Sequence, residues 1–129
     1  MIEWTEEFSV QIPRIDEHHR RLFSLLNRLV GQFGPEQNER LVIGILTELA
    51  EYSSYHFHAE EELFRAKGYP EAPTHIHEHE VFSEKLRALD ELVKMNDAAA
   101  GKELSEFLSS WFVGHVLTTD RKYVPFLAG

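Results

Sequence analysis

The placement of the histidines restricts this chain more than any other feature. His56 and Glu60 stand four residues apart, as do His75 and His79, in a sequence that contains no cysteine. An α-helix turns once in about 3.6 residues, so residues four apart stack on one face. Each pair continues an apolar stripe. One stripe reads Val42, Ile45, Leu46, Leu49, Ser53, His56, Glu60, Leu63, Phe64, and the next reads His75, His79, Phe82, Leu86, Leu89, Val93. His115 extends a third stripe after Leu104, Leu108 and Trp111, and His19 leads a fourth ahead of Leu22 and Leu26. A polar group at a core-facing position costs roughly 2–7 kcal/mol unless something satisfies it. Five imidazoles and a carboxylate in one core call for a metal.

These stripes predict an all-α, up-down-up-down four-helix bundle, a single domain over residues 1–129. The helices span about residues 16–33, 38–67, 73–95 and 99–122. Residues 1–15, with Trp4, Phe8, Val10, Ile12 and Pro13, read as an extended arm that lays its aromatics on the bundle. Asp16 is the expected N-cap of the first helix, and Gly34-Pro35 its end. Gly68-Tyr69-Pro70 breaks the second helix, and Pro73 suits the first turn of the third. Asn96-Asp97 opens a short connection, and the last helix is expected to fray before Pro125.

Composition narrows the function classes. The formal charge is −9, from 22 acidic against 13 basic residues, with no basic stripe. Nucleic acid and anionic membrane surfaces are therefore poor partners. The absence of cysteine removes disulfides, iron–sulfur clusters and thiolate zinc sites. The acidic start lacks the apolar run of a signal peptide, and no stretch approaches the roughly 20 apolar residues of a membrane span. A soluble, cytoplasmic protein is the expectation.

The remaining histidines fall off the stripes. His58 and His77 lie two residues from a core position, about 200° around the helix, and His18 lies about 100° from His19. All three are expected to face solvent without a ligand role. Glu61, Glu62, Glu78, Glu80 and Glu84 read as solvated faces. Asp120 is ambiguous. Five residues past His115, it sits about 140° off the stripe of a regular helix. It is either a surface aspartate in the last turn or a core residue brought round by a π-bulge, which Gly114 would ease.

Imidazole and carboxylate donors suit iron, zinc, copper or nickel. Five histidines with two carboxylates exceed the needs of one tetrahedral zinc. They suit two adjacent metals that share bridging carboxylates and a single-atom bridge, with one coordination position left open for a small ligand.

The segments Ile15-Asp16-Glu17-His18-His19, His56-Phe57-His58-Ala59-Glu60-Glu61, His75-Ile76-His77-Glu78-His79 and Trp111-Phe112-Val113-Gly114-His115, with Asp120, resemble the hemerythrin family, in particular its single-domain bacterial members. The likeness runs from Ile2-Glu3-Trp4 to Tyr123-Val124-Pro125-Phe126. It implies two iron ions bridged by Glu60, Asp120 and an oxo or hydroxo group. His75, His79 and His115 would hold one iron, and His19 and His56 the other, whose vacant position would take dioxygen. Two departures stand out: His18 where the family commonly has Gln, and Gln11 where Gly is common. Phe23, Phe57, Trp111 and Phe112 are the candidates for an apolar wall around the dioxygen pocket, although each suits an ordinary core equally well.

Reversible dioxygen binding, for transport, storage or sensing, is the function this reading favours, with no enzymatic activity beyond weak oxidase or peroxidase side reactions. The alternatives are a di-iron redox enzyme (an oxidase, a peroxidase or a nitric-oxide-handling centre) and an iron-buffering module. Oxygen-activating di-iron bundles favour carboxylate-rich donor sets built from Glu-x-x-His motifs. Only two carboxylates stand here, which argues for carrying dioxygen over cleaving it. A monomer is expected, with any oxygen-consuming or signalling partner a separate protein.

Overall fold

The computed structural model describes residues 2–33 and 39–127; Gly34-Pro35 and the expected helix start at Asn38 lie outside the described residues. Four long helices form: α1 (Pro13–Gly31), α2 (Glu39–Lys67), α3 (Ala72–Lys94) and α4 (Ala98–Gly114). Each packs on its sequence neighbours, and α1 also packs on α4, which closes the ring of a four-helix bundle. No strand occurs among the described residues. Among the described residues no helix is long and apolar enough to cross a membrane.

Local chemistry sets the helix ends. Pro13 opens α1 at its first turn, with Ile12 rather than Asp16 at the N-cap. The proline's fixed φ starts the helix a turn earlier than a cap at Asp16 would. Asp16 instead ties down the arm, accepting from the Val10 amide at 2.8 Å and the Ser9 hydroxyl at 2.6 Å. Gln11 turns the chain into this corner with φ of 62°. That is left-handed space, where glycine fits without a Cβ penalty.

Gly68, at φ 63°, ends α2, and the Tyr69 amide bonds back to the Phe64 carbonyl at 3.0 Å. Asn96, at φ 58°, ends α3 the same way, with the Asp97 amide on the Leu92 carbonyl at 3.1 Å. Both are glycine-type C-terminal caps. Asp97 then caps α4 by accepting from the Ala100 amide at 3.1 Å. One dipeptide thus closes one helix and starts the next, which makes the α3–α4 turn short.

The arm contains one 3-10 turn (Glu6–Phe8) and lays Trp4 and Phe8 on Phe23 of α1. Asn27 clips its start through two hydrogen bonds with the Ile2 backbone. The buried line of α4 runs Gly101, Ser105, Leu108, Phe112, while Leu104 and Trp111 sit half-buried on its flank. Gly101 is required by packing, because a Cβ there would lie 2.8 Å from the Phe33 ring.

Past Gly114 the helix changes pitch. His115–Thr119 form a π turn, Asp120–Tyr123 a 3-10 turn, and Val124–Leu127 a last α turn. The helical path therefore continues through Pro125 instead of fraying before it. The apolar core is divided. A larger cluster includes Leu22, Leu26, Leu49, Leu89, Leu108 and Phe112, and a smaller one unites Val10, Ile15, Phe64, Tyr69, Tyr123 and Leu127. The histidines occupy the belt between them.

Candidate metal centre

Seven polar residues, His19, His56, Glu60, His75, His79, His115 and Asp120, meet in this belt, each 3% exposed or less. All four long helices contribute or lead into it. The four-residue spacings of α2 and α3 act as expected: His56 Nε2 and His79 Nε2 lie 3.4 and 3.2 Å from Glu60 Oε1, and His75 Nε2 lies 3.8 Å from it. Glu60 Oε2 accepts from the buried Tyr123 hydroxyl at 2.6 Å.

Asp120 reaches the cluster through the π turn. Its amide bonds to the His115 carbonyl five residues back, so the wider turn removes most of the angular offset a regular helix would impose. Gly114 itself keeps ordinary helical angles, φ −61° and ψ −41°. The distortion begins after the glycine. Asp120 Oδ1 faces His75 Nε2 at 3.0 Å and His115 Nε2 at 3.1 Å, while Oδ2 faces His19 Nε2 at 3.2 Å.

The donor atoms fall into two groups, each within 4.8 Å of one another: Glu60, His75, His79 and His115 in one, and His19, His56 and Glu60 in the other. Glu60 belongs to both. Most of these atoms lack a hydrogen bond. Apart from the Trp4 indole nitrogen, every buried side-chain polar atom without a partner among the described residues belongs to these seven residues. Folding does not leave that many polar atoms orphaned in a dry core without compensation. Bound cations would supply it, and the nitrogen and oxygen donors are of the kind that fit iron.

The two carboxylates and His56 are in the charge state a cation needs, whereas His115 would have to release a proton to bind one. Burial and Asp120 push the Glu60 carboxyl up, but His56 and His79 outweigh them and hold it at about 2. Asp120 is likewise held well below the usual range, burial being outweighed by His115, His19 and His75. Burial drives His56 down to about 3, with Glu60 only partly opposing it, so this imidazole is neutral with a lone pair to give. Burial opposes the charged form of His115 too, yet Asp120, Glu60 and Glu78 raise it to about 9. Burial and the same two carboxylates keep the Tyr123 phenol protonated and donating.

Three residues expected to face solvent belong to the surroundings of this belt. Glu61 bonds His79 Nδ1 at 2.9 Å. Glu78 bonds His115 Nδ1 at 2.9 Å and receives the Thr119 hydroxyl at 3.0 Å. His18 is 4% exposed and meets His56 Nδ1 at 3.0 Å. Burial, then Arg14 and His19, lower its pKa. His58, His77, Glu62, Glu80 and Glu84 are exposed as expected. The candidate wall aromatics divide. Phe112 stands edge-on to His19 with centroids 5.9 Å apart and packs on Phe23, and Phe57 stacks on His79 at 3.9 Å. Trp111 stacks on His115, on the three-histidine side.

Fold and site together define a helical-bundle protein with a buried cluster of metal-ligating side chains in its core. Residues 10–127 match the family model described as the hemerythrin HHE cation-binding domain. A bacteriohemerythrin of Clostridium acetobutylicum is 32% identical, covering 96% of this chain and 99% of its own. That of Methylococcus capsulatus is 26% identical over 99% and 98% of the two chains. A crystal structure of wild-type hemerythrin matches with a TM-score of 0.89 at 25% identity, covering 100% of this chain and 99% of that one. The chain belongs to the hemerythrin family.

Proposed function

We propose that this protein binds dioxygen reversibly at a non-haem di-iron centre held by His19, His56, Glu60, His75, His79, His115 and Asp120. The observation that carries the reading is the overlap of two donor groups at Glu60. A carboxylate common to two nitrogen-rich groups suits two adjacent cations, where two separate carboxylates would suit two independent sites. Asp120 supports the same arrangement, with one oxygen turned to each group. On this reading His75, His79 and His115 hold one iron, His19 and His56 the other, and Glu60 and Asp120 bridge them.

When bound, a pair of irons would supply the electrons and the open position that dioxygen binding needs. The chain's own residues do the rest. Phe23 and Phe112 exclude water beside His19, and Phe57 closes the side between His56 and His79. Tyr123 fixes Glu60 by donating to Oε2. The imidazole-rich donor set favours carriage over oxidation chemistry, because anionic donors, which stabilise high-valent iron, number only two.

The test is anaerobic loading with ferrous iron, iron measured per chain, and an optical titration with dioxygen. Two irons per chain and a visible band that appears with dioxygen and disappears on degassing are expected. Fewer than two irons, or irreversible oxidation on first exposure, would reject the proposal.

A further inference from the structure

The five imidazoles of the cluster are not held alike. His79 and His115 each present Nδ1 to a carboxylate, Glu61 and Glu78, at 2.9 Å. His56 presents Nδ1 to another imidazole, His18, at 3.0 Å. His18 is buried, stands edge-on to His56 at 88°, and is flanked by Tyr52 and Tyr55. Among the described residues His19 and His75 have no hydrogen-bond partner at Nδ1.

Two ring nitrogens facing each other at this distance share one proton. His56 Nε2 points into the cluster, 3.4 Å from Glu60 Oε1. A neutral imidazole that offers Nε2 as a donor must carry its proton on Nδ1. His56 Nδ1–H then donates, His18 Nδ1 accepts, and the His18 proton sits on Nε2. The opposite arrangement would put the His56 proton on Nε2 and take that atom out of the ligand set.

We propose that His18 is a positioning residue that holds His56 in its metal-binding tautomer, and that its neutral ring leaves His56 a weaker donor than His79 and His115. A carboxylate acceptor raises the basicity of a bound imidazole, and a charge-assisted bond is about twice as strong as a neutral one. The two halves of the centre are thereby made unequal, with the weaker donors on the side of His19 and His56. The inference rests on the two-cation reading above.

Zinc titration by calorimetry, with imidazole nitrogen chemical shifts from NMR, tests it. The wild-type chain is expected to bind two zinc ions. His18→Phe keeps the volume but loses the acceptor, and should weaken one of the two binding steps by roughly 10–100-fold while sparing the other. His18→Gln, whose amide oxygen accepts the same bond, should restore that step towards wild type. In the zinc-loaded wild-type protein the shifts should show His56 protonated at Nδ1 and His18 protonated at Nε2, with the His18 Nδ1 free of a proton. A wild-type chain that binds fewer than two zinc ions overturns the two-cation reading itself. Two ions bound, with both steps unchanged in His18→Phe, overturns only the role of His18. So does a His18 ring that carries its proton on Nδ1 in the zinc-loaded protein, and that measurement decides alone should His18→Phe fail to fold.

Discussion

The α2–α3 pair and the tail of α4 deliver the same kind of side chain by opposite means. In α2 and α3 an ordinary helix does all the work, since His56 and Glu60, or His75 and His79, stack because they are four apart. In the tail of α4 the helix must widen, and only the π turn at His115–Thr119 brings Asp120 round to face His19, His75 and His115. A regular helix positions ligands by default. A distorted one has to be held, and here Glu78 of α3 holds it through His115 and Thr119.

The largest effect should come from removing the shared carboxylates. Glu60→Ala and Asp120→Ala are each expected to cut bound iron from two to at most one per chain, read by metal analysis after gel filtration. Glu60→Ala should also lower the stability of the metal-free protein, by about 1–3 kcal/mol, because the buried Tyr123 hydroxyl loses its acceptor. Equal metal-free stability for the two variants would erase that difference between the regions.

Next comes the support. Glu78→Ala should weaken metal binding by roughly 10–100-fold, whereas Glu61→Ala, which leaves His79 on a regular helix, should cost less. A titration that ranked Glu61 above Glu78 would show that the tail needs no special holding. A smaller effect is expected from deleting Thr118, an exposed residue inside the π turn. The deletion leaves His115 and the aspartate four apart, the spacing that a regular turn stacks, so two metals per chain should remain bound. Loss of metal would mean that the wide turn itself is required. Least of all, Gly114→Ala should stabilise the protein by about 0.5–1 kcal/mol in denaturant melts without changing metal content, since a Cβ there meets nothing within 4 Å. Destabilisation would return to Gly114 the easing role that its regular angles deny it.

The same contrast explains how much was legible beforehand. Periodicity exposed α2 and α3 with His56, Glu60, His75 and His79, because their stripes obey one constant angle throughout. Counting angles left Asp120 open between a surface residue and one brought round by a π-bulge; the π turn answers to the second, and the family likeness had pointed the same way. Counting angles failed at His18, Glu61 and Glu78. Each stands beside a stripe, and on an isolated helix that direction is solvent. In the bundle it is the seam against the next helix, where His18 meets α2, Glu61 meets α3 and Glu78 meets the tail of α4. Asp16 was misplaced as a cap because Pro13 starts the helix earlier and frees the carboxylate for the arm.

The divided core has a consequence for how the molecule assembles. About half of the larger cluster, from Val42 to Val93, lies within the α2–α3 hairpin, which already holds His56, Glu60, His75 and His79. The smaller cluster needs Val10 and Ile15 to find Tyr123 and Leu127 across nearly the whole length of chain, a closure whose entropy is lost before its contacts form. Folding should therefore make the hairpin early and seal the belt last, when the arm and the tail of α4 meet. Substitutions inside the hairpin are expected to slow refolding, and truncations at Val10 or Leu127 chiefly to speed unfolding. A cation arriving during synthesis would then find four of the seven donor residues waiting and the door still open.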